Sequence, residues 1–224
     1  FDSVSHEWVE KFVSHRVGDQ RILRLIHKWL KAGVSEDGQW SSTVVGTPQG
    51  ATASPFLANV YLHYVLDLWV EAWRKGHARG EVYIVRYADD FVMGFQYQDD
   101  AKAFQRALKQ RMQKFGLELN TEKTRLIEFG RFAKKDREKR GEGKPETFDF
   151  LGFTHICAQR NKDGRFVVRR KTIAKRLGMK VKKVAKELKR RRHDSVADQG
   201  QWLRSVVRGY FNYHAVPGNI VALG

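Results

Sequence analysis

Residues 82–95, VYIVRYADDFVMGF, decide how the rest of the chain is read. Two runs rich in β-branched and aromatic residues flank Ala88-Asp89-Asp90, the pattern of an antiparallel hairpin whose tight turn carries acids. Apolar flanks would hold the two carboxylates in place, and adjacent carboxylates repel one another unless a cation neutralises them. Oxygen donors of this kind suit Mg²⁺, which keeps several waters and takes substrate phosphates as its other ligands. Two such ions can activate a hydroxyl and stabilise a departing pyrophosphate in an in-line displacement. Taken alone, the Asp-Asp pair also fits an ordinary turn on a surface hairpin, so its neighbours must decide.

Working outward, Trp8, Phe12 and Val13 make a helical stripe, and Asp19 is placed to cap a second helix carrying Ile22, Leu25, Ile26, Trp29 and Leu30, ended by Gly33. Residues 35–39, SEDGQ, read as a turn between short extended pieces that lead to Val44-Val45. Ser54-Pro55 reads as an N-cap with proline at the first helical position, and Phe56, Leu57, Val60, Tyr61, Tyr64, Val65 and Leu68 follow at helical spacing. Downstream of the hairpin, Asp99 opens a helix with Ala103, Phe104, Leu108, Met112 and Phe115 on one face and Gly116 as its stop. Extended pieces are expected at 117–119 and 125–129, an exposed loop over the charged stretch 131–144, and a hairpin from FDFLGFTHI and RFVV around Asn161–Gly164. From Thr172 the pattern becomes helical, with Ile173, Leu177, Val181, Val184 and Leu188 apolar and most other positions basic, which places a domain boundary near 165.

The 224 residues carry 42 Lys and Arg against 25 Asp and Glu, a formal net charge of +17. Between Arg165 and Arg192 stand fourteen Lys or Arg and one acid, Glu187. The partner this implies is a polyanion, with solvation of surface helices as the plainer account. An apolar share of 42% is enough for a core. No run reaches bilayer length and the N-terminus lacks the features of a signal peptide, so the expectation is a soluble protein of the bacterial cytoplasm or an organelle, not secreted and without a membrane partner. Cys157 is the only cysteine, which excludes an internal disulfide or a thiolate zinc site. With no initiator methionine, the sequence reads as an internal piece of a longer protein.

Tyr87-Ala88-Asp89-Asp90 resembles the reverse transcriptase motif that holds a metal-binding Asp on a palm hairpin, and further motifs occur in that family's order. Gly46-Thr47-Pro48-Gln49-Gly50 followed by Ser54–Leu62 resembles the loop and helix that pack on the nascent base pair. The glycines permit close backbone approach, and Gln49 adds a donor and an acceptor. Gly116–Thr124, GLELNTEKT, is similar to the next palm motif, and Phe150-Leu151-Gly152-Phe153 to the hairpin that grips the primer end. Phe1 matches the aromatic of the first palm motif, which is implied to exclude a ribose 2′-hydroxyl. The metal-binding Asp of that motif then falls five residues before Phe1, and Asp2 is a turn or cap acid. The helix from Thr172 and Trp202–His214 resemble the thumb and maturase region of group II intron proteins. Ala51 departs from the second glycine often found after PQG.

The resemblance implies an α+β fold: a reverse transcriptase palm over 1–155, with antiparallel sheet and packed helices, and a basic helical thumb over 165–224. Asp89 and Asp90 are implied as ligands of two Mg²⁺ ions, with Lys123 neutralising or protonating the departing pyrophosphate. Phe1, Gln49, Gly50 and Tyr87 are implied to contact substrate, and residues 150–153 the primer. Arg169, Arg170, Lys171, Lys175, Lys182, Lys183 and Lys186 are placed on phosphates. Trp202, Tyr210, Phe211 and Tyr213 are expected in helix core. The implied activity is RNA-directed DNA polymerisation from deoxynucleoside triphosphates on an RNA template with a DNA or RNA primer. Intron RNA is a further implied partner, in splicing and retrohoming. The isolated chain is expected to bind nucleic acid without polymerising. The rivals are a non-catalytic RNA-binding splicing maturase and a reverse transcriptase of another retroelement such as a retron.

Overall fold

The computed structural model of the chain describes residues 4–31 and 53–220, and the backbone alone at 34–36 and 39–41. The chain divides into two compact units, Phe1–Leu126 and Ile127–Gly224.

The first unit begins with α1 (His6–Ser14) and α2 (Gln20–Lys31), then the short hairpin β1 (Val34–Glu36) and β2 (Gln39–Ser41). Asp19 caps α2 as its sequence implies, its Oδ1 accepting the Arg21 backbone N–H at 2.8 Å. A long helix follows in three pieces: α3 (Ser54–Leu62), a π-helical turn (His63–Asp67) and α4 (Leu68–His77). It starts one residue earlier than Ser54-Pro55 implied, with Ala53 at the cap position. The wider turn also shifts the helix phase. Leu68, expected on the apolar stripe, is 48% exposed, while Val70 and Trp73 are buried. Arg111 of α5 (Gln98–Lys114) donates to the Val65 and Tyr64 carbonyls at 2.9 and 3.2 Å, satisfying oxygens at the π turn. Gly116, at φ +69°, ends α5 in a Schellman motif in which the Leu117 N–H reaches the Met112 carbonyl at 3.0 Å.

The core of this unit lies where α1, α2, α3 and α5 meet. Phe12 stacks on Tyr64 with ring centroids 4.8 Å apart, and Trp73 meets Phe104 edge-on at 5.0 Å. Tyr61 is fully buried and its hydroxyl donates to the Phe115 carbonyl at 2.6 Å. Burial pushes this phenol up to about 12. Because the folded value lies above the unfolded 10.0, the folded state holds the extra proton between those values, and this contribution is lost as pH rises through that window. Tyr61→Phe should therefore lower stability by about 1–2 kcal/mol at neutral pH, by leaving the Phe115 carbonyl without its donor. It should also flatten the alkaline fall in stability, which urea titrations at neutral and alkaline pH would register.

β3 (Val82–Tyr87) and β4 (Asp90–Phe95) pair antiparallel, from Val82 opposite Phe95 to Tyr87 opposite Asp90. Ile84, Phe91, Met93 and Phe95 pack against the helical core, whereas Tyr83, Val85 and Tyr87 on the opposite face are 63, 58 and 66% exposed. The extended pieces expected at 117–119 and 125–129 join no ladder among the described residues.

The second unit holds α6 (Ala133–Lys139), β5 (Phe148–Phe150), β6 (Phe153–Gln159), β7 (Phe166–Thr172), α7 (Ala174–Arg190) and α8 (Val196–His214). Its three strands form an antiparallel sheet in the order β5-β6-β7. The stretch expected as a loop contains α6, because Arg131–Arg140 has no glycine or proline and Ala133 is buried beneath it. The pairs Lys134–Glu138 and Asp136–Lys139, each 3.8 Å, support the turn on its outer face. The Ser195 hydroxyl accepts the Asp198 N–H at 3.2 Å and caps α8. Of the four aromatics expected in helix core, Trp202 and Tyr210 are half-buried while Phe211 and Tyr213 are 43 and 52% exposed, and α7 and α8 bury no residue fully. The sequence boundary near 165 follows the change from strand to basic helix, whereas packing groups β5–β7 with the two helices. No helix among the described residues is long and apolar enough to cross a membrane.

Candidate active site and nucleic-acid surface

The turn between β3 and β4 is a two-residue loop, Ala88-Asp89, and Ala88 stands at φ +53°. A left-handed conformation costs a residue with a Cβ about 1–2 kcal/mol, so something must hold it. Arg86 does. Its Nη1 donates to the Ala88 carbonyl at 2.9 Å and to Asn59 Oδ1 at 2.9 Å, while Nε and Nη2 grip Asp67 at 2.7 and 2.6 Å. The acid turn is thus tied to the long helix through a guanidinium only 15% exposed.

Asp89 and Asp90 are both exposed, and neither carboxylate has a hydrogen-bond or ion-pair partner among the described residues. Among the described residues no third His, Cys, Asp or Glu joins them there. Adjacent hard oxygen donors, fixed at a turn and unsatisfied by the protein, fit a divalent cation that takes its remaining ligands from water and phosphate. Tyr87 pairs with Asp90 across the hairpin and continues the exposed face of Tyr83 and Val85 up to the acids.

Phe1, Gln49 and Gly50 lie outside the described residues. Lys123 sits exposed on the turn after α5, where its backbone N–H is held by Asn120 Oδ1 at 3.1 Å and its ammonium has no partner among the described residues. Arg86, Asp67 and Asn59 were not singled out in the sequence. The one signal they left was a charged residue inside an apolar strand next to an acidic turn, facing the core side of the hairpin.

In the second unit, Phe150-Leu151-Gly152-Phe153 form the tip of the β5–β6 hairpin. Leu151 at φ +48° and Gly152 at φ +83° are consecutive left-handed residues, the pattern of a type I′ turn. The tip is braced on three sides: the Tyr213 hydroxyl donates to the Leu151 carbonyl at 2.8 Å, Phe153 stacks on Tyr213 at 5.8 Å, and the Ile173 N–H donates to the Gly152 carbonyl at 3.2 Å. A Cβ at position 152 would meet Arg176 Nη1 at 3.5 Å, an ordinary contact, so it is the φ of +83° and not the space that calls for glycine.

The basic residues divide by pairing. Arg190 and Arg191 are bound to Glu187, whose carboxyl they hold down at about 2, and Arg165 faces Asp163. Arg169, Arg170, Lys171, Lys175, Lys182, Lys183 and Lys186 enter no ion pair among the described residues, and all but the half-buried Arg170 are exposed. Lys183 and Lys186 line a groove between α7 and α8 with Trp202 and Val206 on its walls.

Residues 1–155 match the profile of the family described as reverse transcriptase (RNA-dependent DNA polymerase). The chain is 39% identical over 83 residues to the group II intron-encoded protein LtrA of Lactococcus lactis subsp. cremoris, covering 35% of this chain and 14% of that one. It is 44% identical over 71 residues, 32% of this chain and 9% of the other, to an uncharacterized 91 kDa protein in the cob intron of Schizosaccharomyces pombe. With the putative COX1/OXI3 intron 1 protein of Saccharomyces cerevisiae it shares 27% identity over 172 residues, 55% of this chain and 20% of the other. The matched stretches therefore span a small part of each relative. All three are named for introns, in keeping with the resemblance read from the motifs.

Proposed function

Because the chain belongs to the reverse transcriptase (RNA-dependent DNA polymerase) family, we propose that the intact protein copies an RNA template into DNA and also binds the intron RNA that encodes it. The observation that carries this reading is the pair of unpartnered carboxylates held at a braced turn.

Reverse transcriptases are metal-dependent, and here Asp89 is the main ligand and Asp90 a secondary one for two Mg²⁺ ions. When bound, the ions lower the cost of forming the attacking 3′-oxygen and of the charge leaving with pyrophosphate. The protein does the rest by position. Tyr87 and the exposed strand face beside it present an apolar surface to the incoming nucleotide. Gln49 and Gly50 approach its base and phosphates, and Phe1 closes the space a 2′-hydroxyl would need. Lys123 offers a proton and a positive charge to the departing pyrophosphate. The 150–153 turn holds the primer end by backbone contact. The unpaired cations of β7 and α7 track phosphates of template and primer without reading sequence. Binding of intron RNA, with help in splicing and retrohoming, uses the same basic surface and is supported by the intron-encoded relatives. On that reading the protein works in the bacterial cytoplasm or an organelle.

The test is primer extension by the full-length protein on an RNA template with Mg²⁺ and all four deoxynucleotides, run beside a splicing assay on the intron RNA. Template-dependent synthesis that chelation abolishes is the expected result. Splicing assistance without any synthesis would instead assign the non-catalytic maturase role.

A further inference from the structure

We infer that Arg86 is a positioning residue of the acid turn: held by Asp67 and Asn59, it fixes the Ala88 carbonyl and makes no bond to the Asp89 and Asp90 carboxylates, leaving them to cations. This rests on the polymerase reading above and adds to it a device outside the motif.

A guanidinium carries five N–H donors and pairs readily with any free carboxylate within reach. Arg86 stands three and four residues before the two acids, on the strand that leads into their turn. Its side chain lies on the core side of the hairpin, opposite Phe91 and away from the face that carries Asp90, and it turns back to neither acid. Instead Nε and Nη2 are taken by both oxygens of Asp67, and Nη1 is divided between Asn59 Oδ1 and the Ala88 carbonyl. Four donors are thereby committed away from the acids. The acceptors are themselves oriented. Asn59 Nδ2 donates to the Pro55 carbonyl at 2.9 Å, which turns its oxygen towards Arg86, and His63 Nδ1 lies 3.4 Å from Asp67 Oδ2. The bond to the Ala88 carbonyl acts on the residue whose left-handed backbone sets the direction of the acids.

The same hydrogen bonds connect two regions that the reading assigns to the substrate. Asn59 and Pro55 belong to the first turns of α3, a few residues after Gly46–Gly50 in sequence, and Arg86 joins them to the metal-binding turn.

A structural clamp alone would change stability. A positioning role also changes how much metal the enzyme needs. The experiment uses the full-length protein with Arg86→Lys, which keeps the charge but loses the planar fork, and with Asp67→Asn, which keeps the shape but removes the charge and one of the two oxygens that hold the guanidinium. Each should weaken Mn²⁺ binding to the template–primer complex, read by electron paramagnetic resonance without turnover, by about 10- to 100-fold and raise the Mg²⁺ concentration for half-maximal primer extension in step, while KM for template–primer stays within about twofold. The double variant should be little worse than the poorer single one, since both act through one turn. Wild-type Mg²⁺ dependence in Asp67→Asn overturns the inference. Should Arg86→Lys fail to fold, as judged by loss of cooperative melting, the isosteric Asp67→Asn decides alone. An Asp89→Asn control separates the two levels. If it still polymerises, the polymerase assignment of this turn fails. If it is inactive while Asp67→Asn needs no extra metal, only the role of Arg86 fails.

Discussion

Asp89→Asn in the full-length protein is expected to lower RNA-templated primer extension by about a thousandfold or more, a loss of roughly 4 kcal/mol of transition-state stabilisation. The amide keeps the volume of the side chain and its place in the two-residue loop, so the fold should be untouched. It removes the negative charge that makes this oxygen a ligand, and no other acid stands beside it among the described residues except Asp90. Asp90→Asn should be the milder change, because Asp90 belongs to the regular ladder opposite Tyr87 while Asp89 sits at the apex. Binding of an RNA duplex should be unchanged or slightly tighter in both variants, since each removes an anion from a surface facing phosphates. Primer extension with single-turnover kinetics measures the first effect and fluorescence anisotropy the second. Near-normal synthesis by Asp89→Asn would remove the turn from the active site.

The second large effect is expected on α7. Replacing Lys182, Lys183 and Lys186 together by Gln should flatten the salt dependence of RNA affinity by about 0.7–0.9 in log–log slope for each phosphate that is no longer neutralised. If all three lysines sit on phosphates, affinity near physiological salt falls by about a hundredfold. The paired cations supply a control from the same helix. Arg190 already donates to both oxygens of Glu187, and so has fewer free donors for phosphate. Arg190→Gln should change the slope by much less than any of the three lysines, measured by anisotropy across a salt series. Equal slopes for the triple variant and the wild type would return the helix to solvated surface.

Much of the fold was legible because its signals are local. Alternating apolar residues around ADD specified the β3–β4 hairpin, Asp19 specified the start of α2, and Gly116 specified the end of α5. The FLGF hairpin could be read in the same way, although the left-handed Leu151 could not be read from residue type. What escaped depended on distant partners or on cumulative geometry. The short helix α6 was hidden by its charge, since a solvated surface helix and a polar loop share a composition. Phe211 and Tyr213 of α8 read as core from sequence and stand exposed in the fold, because ring size does not say which face a second helix will cover. At the site, the acids were readable as a motif. Their brace was not, because Asn59 and Asp67 stand 27 and 19 residues from Arg86 in sequence and meet it only once the long helix lies along the hairpin.

The π turn in that helix has a consequence for how the chain tolerates length changes. One residue of an α-helix corresponds to about 100° of rotation, and the wide turn inserts an offset of that order between the faces of α3 and α4. Tyr61 before it, Val65 within it and Val70 and Trp73 after it are all buried, a set that an uninterrupted helix could not align. Removing a single residue between His63 and Asp67 would let the segment relax into a continuous α-helix. Everything beyond would then be indexed wrongly: the indole of Trp73 would swing towards water, and the Asp67 carboxylate would leave the guanidinium that steadies the acid turn. Additions or deletions at exposed loops elsewhere need shift nothing. Within these five residues the chain counts.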